Sequence, residues 1–216
     1  MKRLLRGLGG WIVDRRIARG LDGVFASGID HLVRAAAGGP VVVACTHQSW
    51  WDGLVVVWLC RRLGLHPCIL MQSENLEQWP FFAMFGALGV RGPVGVRAGL
   101  AHLRGPGDVV WVFPQGRYRD PSVRPLELAR GASWLATHAG CALVPVALGY
   151  RLVEAPVVRA FLSVAPAIDG ASDLEGPLAG ELDRIEGRLG FEPLARPAVV
   201  APGVASRALG WIWRRL

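Results

Sequence analysis

At 216 residues the chain is long enough to bury the core of one domain, and 52% of it is hydrophobic. Basic residues exceed acidic ones by 24 − 17 = 7, and all of them but Lys2 are arginine. That excess points to an anionic partner: nucleic acid, a phospholipid surface or a phosphorylated small molecule. A GC-rich genome would account for arginine in place of lysine, though not for the net charge.

The chain begins with a basic, amphipathic segment, residues 1–22. At 100° per residue Leu4, Leu8, Trp11 and Ile12 share one face, and Arg3, Arg6, Arg15, Arg16 and Arg19 interleave with them. Gly7, Gly9 and Gly10 weaken the helix there and interrupt any secretory h-region. "GPVVVAC" (Gly39 to Cys45) is a β-branched run and predicts a buried strand. "WDGLVVVWLCRRLG" predicts a helix closed by Gly64. Its apolar run from Leu54 to Cys60 falls far short of the roughly 20 residues of a spanning helix, so the chain is expected not to cross a membrane. "HPCILMQ" reads as a strand, "NLEQWPFFAMFGALG" and "VRAGLAHLRG" as helices, and "DVVWVFP" as a strand. "LELARGASWLATHAG" reads as a helix, "CALVPVALGY" and "AFLSVAPAI" as strands, and "DLEGPLAGELDRIEGRLG" as a last amphipathic helix. The final segment, residues 204–216, repeats the basic, tryptophan-bearing chemistry of the first. At least one of these ends is expected to meet a membrane surface.

Strand and helix in alternation predict an α/β fold: one domain over residues 1–216, with a mixed, largely parallel sheet flanked by helices. In such folds functional side chains gather just beyond the carboxyl ends of strands. Two segments lie there. In "CTHQSWWDGL" His47 follows the strand directly, with Asp52 five residues on. A neutral imidazole takes a proton from a hydroxyl when its other nitrogen donates to a carboxylate, and Asp52 is in position to be that carboxylate. The alternative is a capping box, Ser49 with Asp52, that merely starts the next helix. Trp50 and Trp51 fit either the wall of an apolar-chain site or a buried helix start. The second segment, "WVFPQGRYRDP", ends a strand, turns at Pro114 and Gly116, and offers Arg117 and Arg119 to an anion.

Together these segments resemble the glycerophospholipid acyltransferases, the family of bacterial 1-acylglycerol-3-phosphate acyltransferases. That family carries an N-H-x-x-x-x-D block after a strand, an arginine-bearing block, an F-P-E-G-T-R block and a V-P-V block. The counterparts here are "THQSWWD", "GALGVRG", "FPQGRYR" and "LVPVAL". The resemblance implies a glycerol-phosphate acyltransferase-like fold in which His47 deprotonates an acceptor hydroxyl while Asp52 holds the ring. The hydroxyl then attacks the thioester of acyl-CoA or acyl carrier protein. It implies that the arginines, Arg117 and Arg119 among them, bind phosphate, and the matched blocks place Pro114, Gln115, Gly116 and Pro145 at the substrate site, with Trp50 and Trp51 as candidate walls beside it. For the second block's arginine it leaves Arg91 and Arg97 both open. Gln115 stands where the family has glutamate and Tyr118 where it has arginine, and both departures fall where glycerol phosphate is recognised. A glycolipid or glycosylated terpenoid is therefore kept beside a lysophospholipid as acceptor.

No cofactor or metal is expected beyond the acyl donor. Cys45, Cys60, Cys68 and Cys141 form no CxxC pair and read as small hydrophobes in a reducing compartment. His66 and Cys68 supply only half a metal site. No polar basic helix suits a nucleic-acid groove, and no G-x-S-x-G elbow marks a serine hydrolase. The H-H-x-x-x-D-G acyltransferases need a histidine where Thr46 stands. The expected setting is the cytoplasmic face of the cell membrane, and the non-enzymatic alternative is an inactive peripheral protein.

Overall fold

The computed structural model describes residues 2–152, 157–187 and 190–195. The first half of the chain runs α1 (Lys2–Gly20), β1 (Leu21–Ser27), α2 (Ile29–Gly38), β2 (Val41–Cys45), α3 (Trp51–Arg62), β3 (His66–Gln72), α4 (Ser73–Gln78) and β4 (Ala87–Val90). The second half adds α5 (Gly92–Gly95), β5 (Asp108–Val112), α6 (Gly131–Ala139), β6 (Ala142–Leu152), β7 (Val158–Val164), α7 (Glu175–Gly187) and β8 (Glu192–Ala195). The described strands form one sheet in the order β4-β3-β5-β2-β6-β7-β1-β8. From β4 to β6 it is parallel; β7 runs antiparallel to β6, and β8 antiparallel to β1.

The sheet is covered on both faces, which is why β2 is apolar at every position. Its side chains alternate: Val41, Val43 and Cys45 pack with α1, α2 and α3, whereas Val42 and Ala44 pack with α6 and α7. Helix α3 lies between the sheet and α1, and every residue from Asp52 to Cys60 is buried. A helix apolar on all sides is stable only in such a place. Val13 and Ile17 fasten α1 to that core, while Trp11 and Ile12 stay exposed with Arg15, Arg16 and Arg19. The basic segment 204–216 lies outside the described residues.

Two expected helices take another form. After α4 the chain makes a 3-10 helix at Pro80–Phe85 and then strand β4; a second 3-10 helix, Val96–His102, replaces the helix expected there. Pro80 has no N–H to continue α4 and holds Trp79 out of the helical region, at φ −125° and ψ 62°. Helix α6 begins only at Gly131, so the residues before it remain irregular.

Candidate active site

Strand β2 carries the chain to the site. Just past its end Thr46 is still tied to β6: its N–H donates to the Val146 carbonyl at 3.0 Å, and its Oγ1 accepts from the Leu148 N–H, also at 3.0 Å. His47 is thus the first residue free to leave the sheet. The loop after β5 then holds its backbone on both sides. The His47 N–H donates to Gln115 Oε1 at 2.7 Å, and the His47 carbonyl accepts from the Arg119 N–H at 2.8 Å. Phe113 and Tyr118 each pack on the imidazole at 4.4 Å between ring centroids.

His47 Nδ1 lies 2.8 Å from Asp52 Oδ2. The same oxygen accepts the backbone N–H groups of Gln48 at 2.8 Å and Ser49 at 3.0 Å, and Ser49 Oγ accepts the Trp51 N–H at 3.3 Å. Capping and ring-holding are therefore one arrangement: the carboxylate that starts α3 also orients the imidazole. Asp52 is wholly buried, and its other oxygen, Oδ1, accepts the phenolic O–H of Tyr150 at 2.6 Å. Burial, and then the charge of Asp52, push the Tyr150 phenol well above its ordinary value, so it remains a donor. Cys45, behind the pair, is likewise pushed well up by burial first and Asp52 second. Tyr150 was not legible in the sequence. It lies 98 residues from Asp52 and meets it only because β6 runs beside β2.

A cavity of about 1100 Å³ opens at this edge of the sheet, slightly larger than the usual small-molecule site. His47 lines it, and with Nδ1 held by Asp52 its Nε2 is the nitrogen left for a substrate. The wall is mostly apolar, with Trp50, Leu70, Met71, Trp79, Phe82 and Trp134, and the amides of Gln72, Asn75 and Gln78 add a neutral polar edge. Pro114, Gly116, Arg97 and Arg117 line it as well. Gly116 takes φ 66° in the turn after Pro114, a conformation that favours glycine.

The other expected substrate residues lie elsewhere. Trp51 is half-buried and packs on the core beside Gly20, where an added Cβ would come within 2.1 Å of its ring. Gln115 acts on the backbone of His47, and Pro145 is buried within β6 opposite Ala44. Arg91 is 72% exposed and faces Glu74 and Glu77, whereas the Arg97 guanidinium lies 5.4 Å from the Trp134 ring centre on the cavity wall. Of the two arginines left open for the second block, the structure places Arg97 on the cavity. Arg119 is only 16% exposed and pairs with Glu127, which also meets Arg117 at 3.4 Å. Arg130, which sequence reasoning missed, is on the wall beside Gly131. Among the described residues no cluster of three metal-ligating side chains forms, and no helix is long and apolar enough to cross a membrane.

A ring held by a buried carboxylate at the edge of an apolar cavity suits a group-transfer enzyme for oily substrates. The comparisons give that class its family. The sequence model of the Acyltransferase family matches residues 24–149, more than half of the chain, and the chain belongs to that family. Among solved structures, the 1-acyl-sn-glycerophosphate (LPA) acyltransferase PlsC from Thermotoga maritima is similar at TM-score 0.52. The match covers 87% of this chain and 77% of that one at 16% identity, a likeness of fold. No curated protein matches the chain in sequence.

Proposed function

We propose that the protein transfers a fatty acyl group from an acyl thioester, acyl-CoA or acyl carrier protein, to a hydroxyl of a lysophospholipid such as 1-acylglycerol-3-phosphate. His47 is the general base. The observation that carries this reading is the 2.8 Å contact between Nδ1 and Asp52 Oδ2, which leaves Nε2 for the substrate at a cavity suited to an acyl chain. Nε2 takes the proton of the acceptor hydroxyl as its oxygen forms a bond to the thioester carbonyl carbon. The tetrahedral intermediate then breaks its C–S bond, and the imidazolium returns the proton to the leaving thiolate. Asp52 stays ionised and stabilises the imidazolium. Arg97, Arg117 and Arg130 on the wall are the phosphate-binding candidates.

The pairing of Arg117 and Arg119 with Glu127 favours a second reading of the acceptor. Two guanidinium groups already hold a carboxylate there, so an uncharged hydroxyl-bearing head, as on a glycolipid or glycosylated terpenoid, suits this side of the site. The exposed Trp11 and Ile12 among arginines on α1 support a peripheral position on the cytoplasmic face of the cell membrane.

The test is mass spectrometry of total lipids from cells expressing the wild type or His47→Ala. Acylated lipids that appear only with the wild type support the reading, and their fragments identify the acceptor. Identical profiles, with both proteins folded and membrane-bound and the substrates present, would replace it with the inactive peripheral protein.

A further inference from the structure

We propose that Tyr150 is a positioning residue of this site, fixing the Asp52 carboxylate through Oδ1 and limiting the basicity that Asp52 lends to His47. The proposal rests on His47 as the base. Oδ2 of Asp52 is shared by three N–H groups, those of Gln48, Ser49 and the His47 ring. Oδ1 has one donor among the described residues, the Tyr150 hydroxyl at 2.6 Å. The bond runs from β6 to the first turn of α3, so it resists rotation of the carboxylate away from the imidazole.

It also acts electrostatically. A carboxylate whose second oxygen accepts a short, charge-assisted hydrogen bond has less negative charge to offer an imidazolium. His47 therefore binds its proton less tightly with the phenol present than without it, which keeps more of the ring in the neutral form a base requires. The neighbouring groups do not substitute for it. Cys45 on β2 is kept protonated by burial. Tyr118 lies on the face of the His47 ring, and Gln115 is neutral and bonded to the His47 backbone. The side chains of Arg117 and Arg119 turn to Glu127. Along α3 the next charged residues are Arg61 and Arg62, at its far end.

The experiment is an NMR titration of the full chain labelled with 15N-histidine, in three forms: wild type, Tyr150→Phe, and a chain carrying 3-fluorotyrosine at position 150. Removing the donor should raise the His47 midpoint by roughly a few tenths of a pH unit, because the Tyr150–Asp52 bond is present in both states of the ring and only its difference between them is read. The fluorinated phenol is a stronger donor and should lower it. The acid limb of kcat/KM for palmitoyl transfer from palmitoyl-CoA to 1-acylglycerol-3-phosphate should move in the same two directions. A merely structural tyrosine gives no such opposite shifts. A His47 midpoint unmoved in the fluorotyrosine chain, or moved the same way in both variants, overturns the proposal. If Tyr150→Phe does not fold, the nearly isosteric fluorotyrosine chain decides alone. His47→Ala separates the two claims: if it retains acyl transfer the base reading fails, whereas if it is inactive and the midpoint does not respond to position 150, only the role of Tyr150 fails.

Discussion

Replacing Asp52 by asparagine separates the two tasks its carboxylate performs. An amide has one acceptor oxygen, and only in the place of Oδ2 does it still serve the N–H groups of Gln48 and Ser49. The NH2 group then faces Tyr150, whose hydroxyl turns to accept. The cap survives in neutral form. With bonds to a charged acceptor worth about 1.5–3 kcal/mol and neutral ones about 0.5–1.5, two weakened backbone bonds cost about 2 kcal/mol. That corresponds to roughly 4–8 °C in Tm for a chain of this size, so the variant folds. Catalysis suffers far more. At 2.8 Å between Nδ1 and Oδ2 the charge centres of an imidazolium and the carboxylate are roughly 4 Å apart, an attraction of about 4 kcal/mol at an effective dielectric of about 20. Losing it from the transition state costs about 10³-fold in rate. The assay is kcat/KM for acyl transfer beside a thermal melt of the same preparation. A well-folded Asp52→Asn protein with more than about a tenth of wild-type kcat/KM would refute the assigned roles of Asp52 and His47 together.

Gln115→Ala leaves the His47 N–H without its acceptor and should lower kcat/KM by about 10-fold to 100-fold through misplacement of the ring, with only a modest fall in Tm. Gln115→Glu keeps an acceptor there and should stay within a few fold of the wild type; equal damage in both variants would contradict the backbone-anchor role. In Gly53→Ala the new Cβ would lie 2.9 Å from the ring of Phe82, which lines the cavity. Pushing that ring inward should favour shorter acyl chains, by about 4-fold per methylene at about 0.8 kcal/mol each. An equimolar mixture of acyl-CoAs with mass-spectrometric detection reads the shift, and an unchanged product distribution would count against acyl binding beside Phe82. Burial pushes the Cys60 thiol up to about 12, whereas in the unfolded chain it ionises near about 8.5. Above that pH the unfolded state holds fewer protons than the folded one, so this contribution to stability is lost with rising pH at about 1.4 kcal/mol per unit. Cys60→Ala should therefore flatten the fall of urea-unfolding free energy between about pH 9 and 10.5; an unchanged slope would contradict the assignment.

The central strands were legible because β-branched runs report burial on two faces: β3 spans "HPCILMQ", and β2 and β5 lie within "GPVVVAC" and "DVVWVFP", each two residues shorter. Strands β1 and β4 were not, because Gly23 and Gly89 interrupt short segments whose pairing comes from neighbours distant in sequence. The His47–Asp52 pair was visible because five residues of sequence span it, though the capping reading explained Asp52 equally well until both sets of bonds stood together. The arginines were the least legible. Sequence order cannot tell a guanidinium on a cavity wall from one facing glutamates, as Arg97 and Arg91 differ here, and Arg130 and Tyr150 reach the site through tertiary packing alone.

The double duty of Asp52 bears on how this chain's descendants would look. A copy relieved of catalysis would come to tolerate changes at His47, whose ring the first turn of α3 does not need for its backbone bonds. Asp52 would persist, since α3 still needs the bonds to Gln48 and Ser49 at its start. Among such copies the aspartate records ancestry and the histidine records use.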